Sequence, residues 1–469
     1  MQVASAPQVE ELGNMFENPA GRALERLGLA FEGWVRRNMP DPFVLVLALT
    51  LLTLALSFLV HPTVEQLVTT LPRAWFKGFW DLLAFSMQMV LIVVTGEAIV
   101  ETRPIQKALK WAAAIPTSAT GMLLLLSYVA LAAGWLHWGF GLIGAALFAR
   151  ELARRAEQLK IKVDYPLLGA AAYLSMLLWH AGTTATAPLL INTPGHFLEK
   201  QIGLVPLSET IFLPMNTWAC LILFLVCPWI IAGMNPKKTR APKEYIDLAQ
   251  AEQPRSNAHT RTLAERLDEN PWMGRITGTT AMFALITVQI LSGQGWNLTH
   301  NVVNFFLLAL GLTLHGSPTA YSRAISKSVR GTSGIVLQYP FYGGIMGLME
   351  GSGLGHVLSS LFLNWATAAT LPFFAYLAAT FTKLFVPSGG GEWAIEGPLM
   401  LQAARELGAP VGKTTMAIAY GNMVGNLFQP FWAIPLLSVL GLKARDIMGY
   451  CLVVFLFAFP VLGLALLLG

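Results

Sequence analysis

The sequence predicts an all-α polytopic membrane protein with about 10–12 membrane segments, set in two inverted-topology repeats that contain re-entrant hairpins and broken helices. Three observations carry this expectation. The 469 residues are 55% hydrophobic and only 12% charged, with a mean hydropathy of +0.56, where a soluble domain holds roughly 25% charged residues. Too few polar groups are left to cover a water-facing surface, which excludes a soluble enzyme of this length. Apolar runs of a length that can cross a hydrocarbon core recur along the chain. Finally, two stretches in opposite halves match without gaps, and the basic residues fall mostly on one proposed face.

Residues 1–21 are polar and acidic, without the apolar core of a cleavable signal. Leu24, Leu27, Phe31 and Trp34 then share one helical face, so residues 1–38 read as an amphipathic segment lying on the membrane surface. Residues 39–234 form the first membrane repeat, with apolar segments at 43–60, 82–100, 119–149 (interrupted by glycines), 166–191 and 208–233. Residues 235–275 carry Pro236, Pro242, Pro254 and charges of both signs, and read as a cytoplasmic linker. The second repeat, 276–469, has segments at 276–293, 301–315, 333–350, 361–386, 411–440 and 446–468. Span 276–293 is the extra crossing that starts this half on the opposite face.

The duplication rests on residues 170–190 and 417–437, aligned at an offset of 247. Tyr173 meets Tyr420, Met176 meets Met423, and Pro188-Leu189-Leu190 meets Pro435-Leu436-Leu437. Upstream, Gly139 and Gly141 meet Gly389 and Gly391. Charge placement agrees with inversion. Of the 31 Lys and Arg residues, 25 fall in proposed cytoplasmic pieces and five in external ones, and Lys383, near the end of an apolar segment, is the last. The N-terminus is expected in the cytoplasm. The net charge of +5 therefore reports topology: no basic tail or stripe offers a nucleic-acid surface. Cys220, Cys227 and Cys451 lie in apolar runs without metal-ligand spacing.

Paired broken helices are an architecture of secondary transporters, which hold substrate near the bilayer midplane. The strongest local signal is Pro387-Ser388-Gly389-Gly390-Gly391-Glu392-Trp393. Three successive glycines disfavour a helix interior and read as a turn. Such a turn is either a plain connection between spans or a backbone cradle for an anion. In the second signal, Tyr420 to Pro430, the amides Asn422, Asn426 and Gln429 share a helical face, next to Phe428, Phe431 and Trp432. They fit a ligand site or interhelical packing. Its repeat mate offers His180, Thr183, Thr184 and Thr186, hydroxyls that line a site or bond to their own helix. Glu392 and His180 are the coupling candidates, although a satisfied structural histidine is the better reading of His180. A sodium ion near Ser388, Asn422 and Asn426 is a further expectation; no other metal and no cofactor is expected. No Arg or Lys falls within either segment. That points away from a dicarboxylate, which calls for an arginine clamp, and toward a small monocarboxylate. No enzyme motif is present; the competing class is a membrane-embedded acyl-transfer enzyme using Ser388 or His180.

The motifs M-P-D-P-F (39–43), W-D-L-L-A-F-S-M-Q-M (80–89), W-G-F-G-L (138–142), D-Y-P-L-L (164–168), V-P-S-G-G-G-E-W (386–393), A-I-A-Y-G (417–421), Q-P-F-W-A (429–433) and R-D-I-M-G-Y-C (445–451) together resemble the bacterial short-chain fatty acid transporters of the acetoacetate/butyrate uptake type, within the ion-transporter superfamily. The resemblance runs from residue 39 to the C-terminus. It implies uptake of short-chain monocarboxylates across a bacterial inner membrane by cation symport, with a proton or sodium ion, and a homodimer with an elevator-like moving domain. Carriage of other small carboxylates is the same-class alternative. The chain departs from the family where a glycine- and serine-rich stretch is expected: it has His180-Ala181-Gly182-Thr183-Thr184-Ala185-Thr186.

Overall fold

A computed structural model describes residues 40, 42–60, 63–245, 262–291, 297–355, 357–358, 366–383, 386, 388–429 and 431–469. The surface helix expected within 1–38 lies outside the described residues, as do Pro387, Pro430 and the middle of the linker. The described regular structure is entirely helical. The first half holds α1 (Pro42–Val60), α2 (Leu71–Asp81), α3 (Leu83–Val100), α4 (Arg103–Ala113), α5 (Ala119–Leu136), α6 (Trp138–Leu159), α7 (Tyr165–Tyr173), α8 (Thr186–Ile191) and α9 (Pro214–Gly233). The second half holds α10 (Pro271–Leu291), α11 (His300–His315), α12 (Pro318–Val329), α13 (Ser333–Ser352), α14 (Leu371–Thr382), α15 (Gly389–Leu407), α16 (Val411–Gly425), α17 (Ala433–Leu440) and α18 (Ala444–Leu468).

Local chemistry sets many of these boundaries. Proline occupies the first turn of α2, α4, α7, α9, α12 and α14, where its missing N–H costs nothing. Gly353, Gly408 and Gly441 follow α13, α15 and α17 with φ of 74°, 69° and 68°, the left-handed geometry that ends a helix.

Among the described residues, seven helical stretches are long and apolar enough to cross a bilayer: Phe43–Val60, Gln66–Val100, Ala119–Leu136, Tyr165–Ile191, Pro214–Gly233, Leu263–Leu291 and Ala444–Leu468. The apolar helices α11 and α14 are shorter. Burial separates periphery from centre. Phe43–Val60 and Leu263–Leu291 are each only 17% buried, whereas Tyr165–Ile191 is 94% buried. Leu51, Leu59, Phe283 and Ile290 accordingly point outward. α2 and α13 cross at backbone contact: a Cβ on Gly347 would sit 3.0 Å from Gly78 Cα and run into Ala74 O, the small-residue packing that membrane helices favour.

Both expected breaks are present. α7 gives way to 3-10 turns at Leu174–Met176 and Trp179–Ala181 and an extended backbone at Gly182 before α8 begins. α16 ends at Gly425, and α17 begins at Ala433. The restarts at Thr186 and Ala433 are 247 residues apart, the offset of the sequence match. The aligned tyrosines cross between halves: Tyr173 OH donates to Asn426 O at 3.1 Å, and Tyr420 OH to Asn216 Oδ1 at 2.9 Å. Asn216 Nδ2 in turn holds Ala181 O at 3.0 Å.

The linker is anchored by a carboxylate that sequence reasoning passed over. Asp164 is fully buried and accepts from Arg240 Nε at 3.0 Å and Nη2 at 2.8 Å, and from Tyr450 OH at 3.0 Å. Burial works against the Arg240 charge, but Asp164 outweighs it and raises the guanidinium pKa above its ordinary value.

Candidate functional site

The glycine triplet is not a turn. Gly389, Gly390 and Gly391 form the first turn of α15, with Ser388 as its cap. Ser388 Oγ accepts from Gly391 N at 3.3 Å and donates to Tyr339 OH at 3.1 Å. Ordering each glycine costs backbone entropy of about 0.5–1 kcal/mol relative to alanine. The glycines are required by neighbours: a Cβ on Gly390 would strike the Tyr339 hydroxyl, and one on Gly391 the Tyr342 ring. Their expected mates behave alike: Gly139 and Gly141 lie in the first turn of α6, capped by His137 Nδ1, which accepts from Phe140 N at 3.0 Å.

At this helix start the two broken segments meet. A Cβ on Gly389 would lie 2.6 Å from Cε1 and Nε2 of His180, and 3.2 Å from Asn422 Oδ1. Asn422 Nδ2 donates to Glu392 Oε2, and Asn422 Oδ1 accepts from Lys383 Nζ at 2.9 Å. Lys383 and Glu392 are both 0% exposed. Gly425 makes room for the lysine stem, since its Cβ would sit 2.5 Å from Lys383 Cγ. This corrects the expectation that neither site holds a basic residue. Lys383 lies just outside both segments in sequence, at the end of α14, and packing brings it in. The signal was available: it is the basic residue that no loop accounts for.

Among the described residues, several buried polar atoms here have no hydrogen-bond partner: both ring nitrogens of His180, Glu392 Oε1, Glu396 Oε2 and both side-chain amide atoms of Asn426. Buried polar groups are nearly always satisfied, so such a concentration marks a place prepared for a ligand or for water. Beside it stands an aromatic group. His180 stacks on Trp179 at 4.0 Å, Trp179 on Trp138 at 4.5 Å, and Trp432 meets Trp138 edge-on at 5.1 Å. Trp138 and Trp179 were not singled out by sequence reasoning.

Other expected residues have local roles. Thr183 Oγ1 donates to Leu136 O at 2.5 Å, closing the end of α5. Thr184 Oγ1 accepts from Trp138 N at 3.3 Å, at the start of α6. Thr186 is buried at the first turn of α8. Gln429 Oε1 accepts from Phe431 N at 3.2 Å. Phe428 packs on Phe455, with ring centres 5.0 Å apart. Ser388 and His180 do not form a nucleophile–base pair, because the serine bonds to Tyr339 and the imidazole nitrogens have no partner. A separate cavity of about 710 Å³ opens between α13, α15 and residues 196–201, lined by Met346, Met349, Ala394 and Pro398 with Lys77 and Glu350 among its charges.

Interrupted membrane helices converging on a sealed, charged centre define the class: a polytopic membrane transporter. Comparison with known proteins is more specific. The chain matches the family described as "Short chain fatty acid transporter" over residues 23–468, and it belongs to that family. It is 40% identical over 429 residues to a protein of Escherichia coli (strain K12) provisionally described as a short-chain fatty acid transporter, covering 91% of this chain and 95% of that one. A Haemophilus influenzae relative with the same description is 37% identical over 448 residues, covering 93% and 98%. Among solved structures, the YdaH transporter of Alcanivorax borkumensis, described as having an unusual topology, superposes with a TM-score of 0.55 at 14% identity, over 91% of this chain and 98% of that one. That likeness concerns the fold. The family and these relatives are described as transporters, not enzymes.

Proposed function

We propose that this protein carries short-chain monocarboxylates, of the size of butyrate or acetoacetate, across the bacterial inner membrane together with a proton or sodium ion. The observation that carries this reading is the meeting of His180, Asn422, Lys383 and Glu392 at the start of α15, with the Trp138–Trp179–Trp432 group alongside. A short fatty acid has one charged end and one small apolar end, and the site has both environments. Ser388 to Gly391 and Asn422 supply the polar wall, and Trp432 belongs to the apolar one. Asn426, with both amide atoms unpartnered, supplies further polar lining.

In this reading residues 39–234 and 276–469 are inverted repeats, the N-terminus and residues 235–275 face the cytoplasm, and the starts of α6 and α15 are the corresponding re-entrant elements. Support comes from the equal spacing of the helix restarts and the reciprocal tyrosine contacts. The assembly is a homodimer. The test is uptake of labelled butyrate into proteoliposomes under separately imposed proton and sodium gradients. Accumulation driven by either gradient is expected; no uptake under both overturns the reading. Competition by lactate at equal potency would extend the specificity to short hydroxy acids, and competition by citrate at equal potency would replace the monocarboxylate specificity with a broader one.

A further inference from the structure

We propose that Lys383 is the receptor for the substrate carboxylate and that Glu392, deprived of its counter-charge when substrate binds, takes up the coupling proton. This rests on the transport reading above and adds to it the anion-binding group and the identity of the coupling ion.

The argument begins with charge. A lysine and a glutamate, both 0% exposed, are joined here through one asparagine, whose Oδ1 faces the ammonium and whose Nδ2 faces the carboxylate. A buried charge persists only when paired and hydrogen-bonded, and the amide bridge keeps the two apart while stabilising both. Asn422 Oδ1 is an acceptor of the ammonium and holds a position that an anion can take. A carboxylate brought to Lys383 takes over the acceptor position of Asn422 Oδ1. It meets there the Gly389 backbone, which lies against the unpartnered nitrogens of His180.

The anion changes the balance. Before it binds, Lys383 and Glu392 sum to zero; afterwards the substrate adds one negative charge to that pair, with the buried Glu396 carboxyl a turn away. The excess negative charge in a water-poor interior is costly, and a proton on Glu392 removes it. Glu392 Oε1 has no protein partner and is the open position for that proton. The groups facing Glu392 fit this assignment. α16 presents Asn422, α14 leads to Lys383, α13 presents the Tyr339 and Tyr342 rings beside the glycines, the first broken segment presents His180, and α15 itself adds Glu396 one turn on. α8 adds no ionisable group. A sodium ion at Asn422 Oδ1 would oppose the ammonium 2.9 Å from that oxygen. The proton is taken from water on the substrate side and released from Glu392 on the other, as the carboxylate leaves Lys383 and the asparagine bridge re-forms.

The experiment uses purified full-length protein in proteoliposomes and in detergent, with labelled butyrate. Lys383→Met keeps the stem and removes the charge. It is expected to lose both uptake and butyrate-induced thermal stabilisation, with apparent affinity lowered on the order of 100-fold, as for removal of one partner of a buried charged contact. Because Lys383→Met strands Glu392, the double variant Lys383→Met/Glu392→Gln removes the charged pair together; it is expected to fold and still fail to bind. Glu392→Gln alone is expected to keep butyrate-induced stabilisation while losing accumulation driven by a proton gradient. Butyrate affinity within 2–3-fold of wild type in the double variant would overturn the lysine assignment. Proton-driven accumulation by Glu392→Gln, or sodium-driven accumulation by wild type with no response to protons, would overturn the proton assignment. Absence of butyrate uptake by wild type would instead sink the transport reading beneath it.

Discussion

Replacing Gly389 by alanine adds one methyl group at the point where the halves of the molecule meet. The new Cβ would lie 2.6 Å from Cε1 and Nε2 of His180, well inside van der Waals contact. The imidazole cannot swing away cheaply, because it is stacked on Trp179 at 4.0 Å and Trp179 on Trp138 at 4.5 Å. Overfilling a packed site costs about 1–3 kcal/mol, against a backbone gain of about 0.5–1 kcal/mol for removing a helical glycine. The clash wins, leaving a net loss of about 1–2 kcal/mol. Gly144, inside α6, is the internal control: its nearest neighbour, Val100 Cγ2, would stand 3.7 Å from an added Cβ. Gly144→Ala should therefore hold or raise the melting temperature, by up to about 1 kcal/mol. The assay is thermal melting of both purified variants, followed by butyrate uptake. Gly389→Ala should melt lower and, on the proposed function, transport about 10-fold less or worse, since small misplacements at a binding centre are amplified. Equal melting of the two variants, or normal uptake by Gly389→Ala, would refute the packing argument.

Two further outcomes follow from packing and charge elsewhere. Gly347→Val places a branched side chain against Ala74 O and the Gly78 backbone, where no rotamer change gives relief; monodisperse protein on size-exclusion chromatography should be lost, and a normal profile would show that α2 and α13 do not cross as described. Asp164→Ala removes the partner of Arg240 and Tyr450; because the Arg240 side chain is 38% exposed, the loss is discounted to about 1–3 kcal/mol. Its measure is the melting temperature, and no change would make this anchor of the linker dispensable.

Much of the architecture was readable from the chain, for physical reasons. A bilayer imposes length and apolarity on its spans, so α1, α9 and α18 fall close to the apolar segments read from sequence. The breaks were readable because glycine and proline weaken a helix wherever they occur. What escaped is what depends on three-dimensional approach. The glycine triplet reads as a turn by propensity, yet it lies in a helical first turn because Tyr339, Tyr342 and His180 press against it. Thr183 and Thr184 read as lining, yet their hydroxyls join the α5–α6 corner, which no local pattern reveals. Lys383 lies 39 residues before Asn422, and only the packing of α14 along α16 brings them together.

That last displacement bears on specificity. With no cation in the site, selection of a monocarboxylate would rest on the weakness of the binding: backbone and amides hold one carboxylate and too little is offered to a second. On the proposed function, with Lys383 and Glu392 buried together, selection follows from charge. One carboxylate can exchange for the asparagine bridge and be compensated by one proton. A dicarboxylate brings a second charge that needs its own partner, and on the apolar side of the site it would meet the indoles of Trp138, Trp179 and Trp432. The two breaks thus share their spacing, with helix restarts 247 residues apart, but not their chemistry. The first half brings an imidazole and two indoles, and the second brings the ammonium, the amide, the carboxylate and the indole of Trp432, so both halves contribute to both sides of the site.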